Sequence, residues 1–262
     1  MKIKKINPLG AEISNIDLKE NLSTESYKRI KQAFLENLVL IFKDQSLTPY
    51  DLLSVTKIWG QPQIHPVFKG LDEYPEIIKI ENHGQEFHAN AHWHSDVTFE
   101  EEPPDATILY AIEMPDKGGN TLFANQYLAY ESLEQSLKEK FSSSVAINSN
   151  KSVILLAGAD LSLVKSVKHP IFRTHPETDK KALYVTQAFV EKIEGLSNKE
   201  SEDLLSLLYE HCSNKEFIYE HKWHNGDLVI WDNRCVQHFA VHDHGNQTRT
   251  LHRITVNGSK PY

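Results

Sequence analysis

The chain has 262 residues, of which 40% are hydrophobic and 24% are charged, a composition typical of globular proteins that bury a sizeable core. Its formal net charge of −8, without any basic stripe, excludes the charge pattern that nucleic-acid binders usually carry. The two cysteines, Cys212 and Cys235, form no CxxC pair, which argues against a thiolate metal site or a disulfide framework and predicts a reducing compartment.

The start of the chain and its long-range composition carry few special signals. The first ten residues, MKIKKINPLG, lack the apolar segment of a secretory signal, and no apolar run approaches the length of a membrane span. No internal repeat or low-complexity linker interrupts the sequence. We therefore expect a cytoplasmic protein that forms a single domain over residues 1–262.

The first sixty residues predict two helices around one strand. Ser23 is suited to cap a helix whose apolar residues recur at helical spacing, namely Tyr27, Ile30, Phe34 and Leu38. The apolar run at 38–42 then predicts a strand. The pair Thr48-Pro49 is an N-cap followed by an N1 proline, and we expect Gly60 to end that helix after Trp59.

The middle of the chain combines strands with one helix and one weakly patterned stretch. β-rich runs at 76–80 and 106–111 are bounded by turn residues and predict strands. A helix is expected after Asn125, and its inner face would carry Leu133, Leu137 and Phe141. Residues 142–168 are predicted to form a loop or lid, and residues 175–181 a hairpin turn.

The C-terminal part predicts one helix followed by several strands. Residues 197–200, SNKE, form a capping box ahead of an apolar helical run. Residues 217–223 alternate as a half-buried strand does, and Asn225-Gly226 makes a tight turn into the run at 227–231. Residues 249–256 predict a further strand. Because the strands lack a regular βαβ rhythm, the pattern favours a mixed α/β, mainly β fold: a twisted antiparallel sandwich with surrounding helices.

The stretch HWHSD at 92–96 places metal-binding side chains one residue apart. In an extended strand residues i and i+2 point to the same face, so the His94 imidazole and the Asp96 carboxylate would project together. One further histidine would complete a two-histidine, one-carboxylate set, which leaves three metal positions open and suits Fe(II) chemistry with O2. A lone His-x-Asp pair is more often a hydrogen-bonded surface pair, and His92 would crowd His94 as a ligand.

A third ligand and two anion receptors are available near the C-terminus. His238 follows a hydrophobic strand and a polar turn, whereas His242 and His244 lie in a turn-like stretch that we expect to be exposed. Arg249 and Arg253 are an even number of residues apart on one strand, so both can face the sandwich interior and bind carboxylates or sulfonates. Surface salt bridges are the alternative role for both arginines.

Ordered motifs extend this pattern over nearly the whole chain. They are IHPVF (64–68), NAHWHSDVTFEEEPP (90–104), GGNTLFANQYLAYE (118–131), HPIFRTHPETDKKALYV (169–185), WDNRCVQHFA (231–240) and RTLHRITVNGSKP (249–261). With these motifs the chain resembles the taurine/2-oxoglutarate dioxygenases, a branch of the Fe(II)- and 2-oxoglutarate-dependent oxygenases. The resemblance implies a double-stranded β-helix (jelly-roll, cupin-like) core with surrounding helices.

The resemblance also implies a cofactor site. His94, Asp96 and His238 would hold Fe(II), and Thr121 and Arg249 would bind the distal carboxylate of 2-oxoglutarate. The arginine would supply a charge-assisted pair, and the threonine hydroxyl would add one donor. O2 is the second cosubstrate that the resemblance implies.

A substrate pocket follows from the same resemblance. In taurine-type members a histidine and an arginine hold the sulfonate, an asparagine contacts the amine and an aromatic residue forms a wall; the matching positions here are His65, Arg253, Asn90 and Phe189. Phe68 stands where a tyrosine contacts the substrate, and Val153 falls near a second aromatic wall. These departures remove one polar contact and widen the pocket, which alters substrate discrimination.

The expected function is oxidation of a small anion. Taurine or a related small sulfonate would be hydroxylated next to the sulfonate, giving sulfite, an aldehyde, succinate and CO2. Alternatives with the same chemistry are an alkyl sulfate ester, an aryloxyacetate, a phosphonate or a carboxylate. Alternatives of other classes are a non-catalytic cupin-like binding protein and a nucleic-acid demethylase, which the acidic charge disfavours. We expect a small anionic organic substrate and a homodimer or homotetramer, and neither nucleic acid nor membrane as a partner.

Overall fold

The computed structural model describes residues 1–83 and 92–262. Its strands, numbered along the chain, are β1 (Lys2–Lys5), β2 (Ala11–Ser14), β3 (Val39–Phe42), β4 (Pro62–Gln63), β5 (Ile78–His83), β6 (Ala106–Glu113), β7 (Thr121–Asn125), β8 (Val145–Ser149), β9 (Ser166–Pro170), β10 (Phe172–Thr174), β11 (Lys181–Leu183), β12 (Val190–Ile193), β13 (Ile218–His221), β14 (Leu228–Asp232), β15 (Val236–Ala240) and β16 (Thr248–Val256).

Helices are interspersed with these strands. They are α1 (Thr24–Asn37), α2 (Pro49–Thr56), α3 (Gln126–Ser132), α4 (Gln135–Lys140), α5 (Lys151–Leu156) and α6 (Asn198–Cys212), with short 3-10 turns at Leu161–Leu163 and Lys215–Phe217. Among the described residues, no helix is both long enough and apolar enough to cross a lipid bilayer.

Within the described ranges the strands form one large sheet and three smaller ones. The order in the large sheet is β1-β2-β3-β14-β6-β16-β4, and β5 pairs with β16 beside this path. Its pairings are antiparallel apart from β2 with β3, which is parallel. The smaller sheets, β13-β7-β15, β12-β8-β9 and β10-β11, are antiparallel.

Alternation along the central strands gives the large sheet two apolar faces. Ile108 of β6 belongs to an outer cluster that includes Phe34 of α1 and Leu52 of α2. Its neighbour Leu109 belongs to an inner cluster that includes Phe123 of β7. Helices therefore cover the outer face, while the inner face packs against the β13-β7-β15 sheet, so side chains that point inward are enclosed between two sheets.

Much of the predicted secondary structure is confirmed. Ser23 caps α1 by accepting from the Ser26 N–H, and capping boxes begin α2 at Thr48 and α6 at Ser197. The predicted strands correspond to β3, β5, β6, β13, β14 and β16, with ends that shift by a few residues. The predicted hairpin turn at 175–181 connects β10 and β11.

Two helix boundaries predicted from the sequence are wrong. Helix α2 ends at Thr56 rather than at Trp59, because the next turn is tighter: Trp59 N donates to Thr56 O at 3.0 Å. The single helix expected after Asn125 is divided into α3 and α4 at Leu133, whose backbone is extended (φ −61°, ψ 145°). Apolar spacing continues across such a break, and therefore conceals it.

The prediction of a loop or lid over residues 142–168 is also wrong. This stretch contains β8, which lies between β12 and β9 in a three-stranded sheet, and the helix α5. Its pattern is weak because Asn148 and Ser149 of β8 are buried polar residues, 1% and 2% exposed. Asn148 is satisfied by Thr98, whose hydroxyl donates to its Oδ1 at 3.0 Å.

Candidate active site

A backbone bridge brings the two predicted histidine ligands together. His94 N donates to His238 O at 3.1 Å, and His238 N donates to His94 O at 2.8 Å. The ring centroids of these histidines lie 4.1 Å apart, and His94 Nε2 lies 3.8 Å from Asp96 Oδ1. All three residues are buried, and one potential ligand atom of each lies within 4.8 Å of the others. Two imidazoles and one carboxylate at this separation are a fitting donor set for a divalent iron ion.

The protonation states of these residues also suit a metal ion. His94 Nδ1 lies 2.7 Å from the His92 carbonyl oxygen and donates to it, so Nε2 is the free acceptor that faces Asp96. Burial lowers the pKa of both His94 and His238, so both rings are neutral at pH 7. Burial alone raises the pKa of Asp96, but the charge of Arg253 and the hydrogen bond from Thr107 help to hold it below its ordinary value, so the carboxylate is ionised.

A second end of the site contains a buried cation with neutral partners. Arg249 is 2% exposed, and burial lowers its pKa to about 10, so it stays protonated at neutral pH. Its Nε donates to Gly119 O at 2.9 Å and its Nη2 donates to Thr121 Oγ1 at 3.3 Å. No carboxylate among the described side chains forms an ion pair with it. A guanidinium buried in this way has a strong preference for a carboxylate ligand.

Thr121 is arranged to donate a hydrogen bond beside Arg249. Its Oγ1 accepts from Trp223 Nε1 at 2.9 Å as well as from Arg249. Because both lone pairs are engaged, the hydroxyl proton is left to donate to a ligand. Gly119 permits this packing, since its φ is +67° and a Cβ there would approach Arg249 Cδ to 3.1 Å. The sequence predicts burial of Trp223 but gives no sign of its contact with Thr121.

A neutral histidine and a second arginine lie near the metal-binding group. His65 Nδ1 accepts from the backbone N–H groups of Val67 (3.1 Å) and Phe68 (3.0 Å), so Nε2 carries the ring proton. Burial, followed by the charge of Arg253, lowers the pKa of His65 to about 3. Arg253 Nη2 lies 2.9 Å from Asp96 Oδ1. A cation and a neutral N–H donor so close to the candidate ligands suit an anionic substrate group.

One cavity of about 500 Å³ joins these groups. Of the ten site residues predicted from the sequence, nine line it: His65, Phe68, His94, Asp96, Thr121, Phe189, His238, Arg249 and Arg253. The tenth, Asn90, lies outside the described residues. The structure therefore brings the nine together around one space, while their separate roles stay predictions.

An apolar wall completes the cavity. Val97, Phe99 and Val153 form a buried cluster against which Phe68 and Phe189 pack. The ring centroids of Phe99 and Phe189 lie 5.2 Å apart in an edge-on arrangement. Val153 belongs to α5, so the stretch that the sequence leaves unpatterned supplies part of the wall. A carbon chain would find hydrophobic contacts here.

The competing histidines near the C-terminus do not line the cavity. His244 is nevertheless 4% exposed, so its predicted exposure is wrong. The turn that carries it is held against the body of the protein, because Gly119 N donates to Asp243 Oδ1 at 2.8 Å. The turn-like composition around His244 therefore does not indicate that the residue is exposed.

A second group of potential metal ligands, His175, Asp232 and Cys235, is already engaged in other contacts. Arg234 donates to both carboxylate oxygens of Asp232, from Nε at 2.8 Å and from Nη2 at 2.7 Å. A cation would have to displace this guanidinium. Burial raises the pKa of the Cys235 thiol, so the group stays protonated, in line with its interpretation as a small buried residue.

Known proteins resemble the chain over most of its length. The sequence model described as taurine catabolism dioxygenase TauD, TfdA family, matches residues 2–255. An alkylsulfatase from Acinetobacter baylyi is 34% identical over 264 residues, which cover 95% of this chain and 82% of that protein. An alpha-ketoglutarate-dependent sulfate ester dioxygenase from Pseudomonas putida is 32% identical, with 97% of this chain and 88% of that protein covered.

A solved structure shares the fold. A taurine dioxygenase from Burkholderia xenovorans has a TM-score of 0.88 and 33% identity, with 99% of this chain and 90% of that chain covered. This likeness confirms the double-stranded β-helix (jelly-roll, cupin-like) fold. Non-catalytic binding is therefore the wrong alternative, and the cofactors are Fe(II), 2-oxoglutarate (alpha-ketoglutarate) and O2. The chain belongs to the TauD/TfdA family and is a 2-oxoglutarate-dependent dioxygenase.

Proposed function

We propose that this dioxygenase hydroxylates a small organic sulfonate, with taurine as the reference compound, at the carbon next to sulfur. One observation carries the proposal: a single cavity holds a metal-ligand group, a buried arginine with neutral partners, and a separate cationic end. Two anion-binding places beside one metal site match a reaction that needs a dicarboxylate cosubstrate and an anionic substrate at the same time.

The cofactor end would be built from five side chains. His94, Asp96 and His238 would hold Fe(II), and Arg249 with Thr121 would hold the distal carboxylate of 2-oxoglutarate. When bound, iron and 2-oxoglutarate together activate O2 to oxidise a carbon–hydrogen bond, while 2-oxoglutarate becomes succinate and CO2. The contribution of the protein is to position both groups with side chains that are themselves buried.

The substrate end would combine charge with an apolar wall. Arg253 would pair with the sulfonate, and the Nε2–H of His65 would donate a further hydrogen bond without adding charge. Phe68 and Phe189 would contact the carbon chain. Hydroxylation next to sulfur gives a 1-hydroxyalkyl sulfonate, whose carbon–sulfur bond then breaks to release sulfite and an aldehyde.

An alkyl sulfate ester is the second candidate substrate, and the apolar wall favours it. Phe68 brings no hydroxyl to the pocket, and Val153 is smaller than an aromatic residue, so an uncharged alkyl chain has both room and hydrophobic contacts. The same arginine and histidine would bind the sulfate group. Two relatives are named as an alkylsulfatase and a sulfate ester dioxygenase. Oxidation of the carbon bonded to the ester oxygen would release inorganic sulfate and an aldehyde.

Product analysis separates these substrates. Purified protein with Fe(II), 2-oxoglutarate and O2 would be supplied with taurine, an unbranched alkanesulfonate, an alkyl sulfate, an aryloxyacetate, a phosphonate or a simple carboxylate. Succinate that depends on a sulfonate and appears with equimolar sulfite supports the primary proposal. Equimolar inorganic sulfate from the alkyl sulfate supports the second candidate. Substrate-dependent succinate from the other anions alone would refute both.

The assembly and location of the protein stay predictions. We propose a homodimer or homotetramer, which light scattering after size exclusion would measure as two or four chain masses, and a single mass would contradict. We also propose a cytoplasmic location, to be tested by cell fractionation with marker enzymes. Limited proteolysis that cuts the chain into two stable halves would contradict a single domain over 1–262.

A further inference from the structure

The two carboxylate oxygens of Asp96 lie in different surroundings. Oδ2 accepts a hydrogen bond of 2.6 Å from the hydroxyl of Thr107, a β6 residue with no solvent exposure. Oδ1 instead faces His94 Nε2 at 3.8 Å and Arg253 Nη2 at 2.9 Å. Oδ2 is therefore engaged by a neutral buried donor, while Oδ1 pairs with Arg253 and faces the candidate metal ligand His94.

The direction of the Thr107 hydroxyl is fixed by Asn233. Asn233 Nδ2 donates to Thr107 Oγ1 at 2.8 Å, so the threonine proton is directed to Asp96. The Oδ1 of the same asparagine accepts from Trp231 Nε1 at 2.9 Å and from Asp96 N at 3.3 Å, which fixes the orientation of the amide. Thr107, Asn233 and Trp231 are all 0% exposed, so water does not compete for these bonds.

The turn that carries Asn233 is itself held firmly. The main-chain N–H of Asn233 donates to Asp105 O at 2.9 Å. Next to it, Asp232 Oδ1 accepts from both the backbone N–H and the Nε of Arg234, at 3.0 and 2.8 Å. Arg234 Nη1 also donates to Glu177 Oε1 at 2.7 Å. The main chain of Asn233 is thus held by Asp105, and the residues next to it are held by their own hydrogen bonds. Asn233 can therefore keep the Thr107 hydroxyl in one direction.

We infer that Thr107, oriented by Asn233, is a positioning residue that restricts Asp96 to binding the metal through one oxygen. This inference rests on the proposed role of Asp96 as an iron ligand and is independent of the substrate. A carboxylate can bind a metal through one or both oxygens. Binding through both would occupy a position beyond those of the two histidines, whereas 2-oxoglutarate and O2 together need three open positions. The Thr107 hydroxyl keeps Oδ2 occupied and so preserves the third position.

The test replaces Thr107 by valine, which has nearly the same shape but no hydroxyl, with Thr107→Ser as the matched control. Each protein is loaded with Mn(II), and solvent-proton relaxation is measured, because it reports the exchangeable waters on the metal. We expect the inner-sphere relaxation enhancement of Thr107→Val to fall by about a third, from three open positions to two. Thr107→Ser should retain the wild-type enhancement. Calorimetry should also show 2-oxoglutarate binding to the Mn(II)-loaded valine variant weakened by roughly 10-fold or more.

The outcomes separate this inference from the proposed function. Wild-type enhancement and wild-type 2-oxoglutarate affinity in Thr107→Val would overturn the inference and leave the iron site intact. Failure of the wild-type protein to bind Mn(II) would overturn the proposed iron site and the inference together. If Thr107→Val does not fold by circular dichroism, Asn233→Ala decides, because it frees the hydroxyl to rotate. Unchanged relaxation and affinity in that variant would overturn the inference.

Discussion

The metal-binding end and the apolar wall of the cavity are built in different ways. His238 lies on β15, which pairs with β7, and Arg249 lies on β16, which pairs with β5. Two backbone hydrogen bonds join His94 to His238. The wall consists of Val153, from the short helix α5, and phenylalanines from irregular segments, held together by side-chain packing. Displacing a ligand therefore requires breaking strand pairing, whereas reshaping the wall requires only a new side chain. We infer that the strands fix the positions of the residues that carry the reaction, whereas the side chains of the wall determine which substrate is accepted.

The largest expected effect comes from the metal-binding end. Asp96→Ala and His94→Ala remove one donor each, so we expect turnover to fall below detection, because iron is lost or wrongly held. Succinate release and metal-dependent shifts in melting temperature would measure both effects. His92→Ala is the matched control, because its hydrogen bond with His94 is made by the main-chain oxygen, which the substitution keeps. Substantial turnover in either ligand variant would contradict the assignment of the metal site.

The two arginines should separate the cosubstrate from the substrate. Arg249→Gln should weaken 2-oxoglutarate, and Arg253→Gln should mainly weaken the sulfonate or sulfate substrate, each by about 2–5 kcal/mol, roughly 30-fold or more in KM. Steady-state titrations of each ligand in both variants provide the measurement. Exchanged effects would show that the two ends of the cavity are assigned the wrong way round.

The candidate metal and anion ligands are easier to find in the sequence than the residues that position them. Arg249 and Arg253 alternate along β16, so strand periodicity is enough to group them. The extended strand predicted for 94–96 is wrong, since His94 forms an isolated bridge and Asp96 lies in a turn, but their separation of one residue still keeps the two side chains close. Thr107 carries no such signal. Its partner Asn233 lies 126 residues away, and their contact depends on the register between β6 and β14.

The same limit explains the errors in the fold prediction. Strands with an apolar face, such as β6 and β14, are visible from alternation alone. Strand β8 buries Asn148, whose Oδ1 accepts a hydrogen bond from the side chain of Thr98 in a distant segment. Burial of polar residues depends on partners that the tertiary structure supplies. Periodicity therefore predicts the central sheet. It does not predict the β12-β8-β9 sheet, or the helix α5 that follows β8 and contributes Val153 to the wall.

His65 belongs to the substrate end of the cavity and is held by backbone hydrogen bonds. The pH dependence of protein stability tests how firmly these bonds hold the neutral ring. Its ordinary pKa is 6.5 and burial lowers the folded value to about 3. Between these values the unfolded chain binds a proton that the folded protein does not. The stabilising contribution is therefore complete above pH 6.5 and is lost as pH falls toward 3, by about 1.4 kcal/mol per pH unit.

Urea unfolding at pH 7.5, 6.5 and 5.5 measures this loss. His65→Asn is the suitable comparison, because the asparagine oxygen can still accept from the N–H groups of Val67 and Phe68 but does not titrate. We expect the stability of the wild-type protein to fall more steeply than that of the variant below pH 6.5. Parallel curves would show that the pKa of His65 is not lowered in the folded protein, because a proton on Nδ1 would have to break both of these hydrogen bonds.

The smallest expected effect comes from the wall itself. Val153→Phe fills space beside Phe99 and should reduce kcat/KM for long alkyl substrates by about tenfold relative to taurine, within the 1–3 kcal/mol typical of apolar pocket discrimination. The KM for 2-oxoglutarate should change less than about twofold, because Arg249 and Thr121, which we propose to bind that cosubstrate, do not belong to the cluster. Leu155→Phe, on the same helix but 58% exposed, is the matched control and should leave the substrate ratio unchanged. Equal losses for every substrate, together with weaker 2-oxoglutarate binding, would contradict this expectation. They would mean that repacking of α5 also disturbs the residues of the metal-binding end, so that the wall and that end do not vary independently.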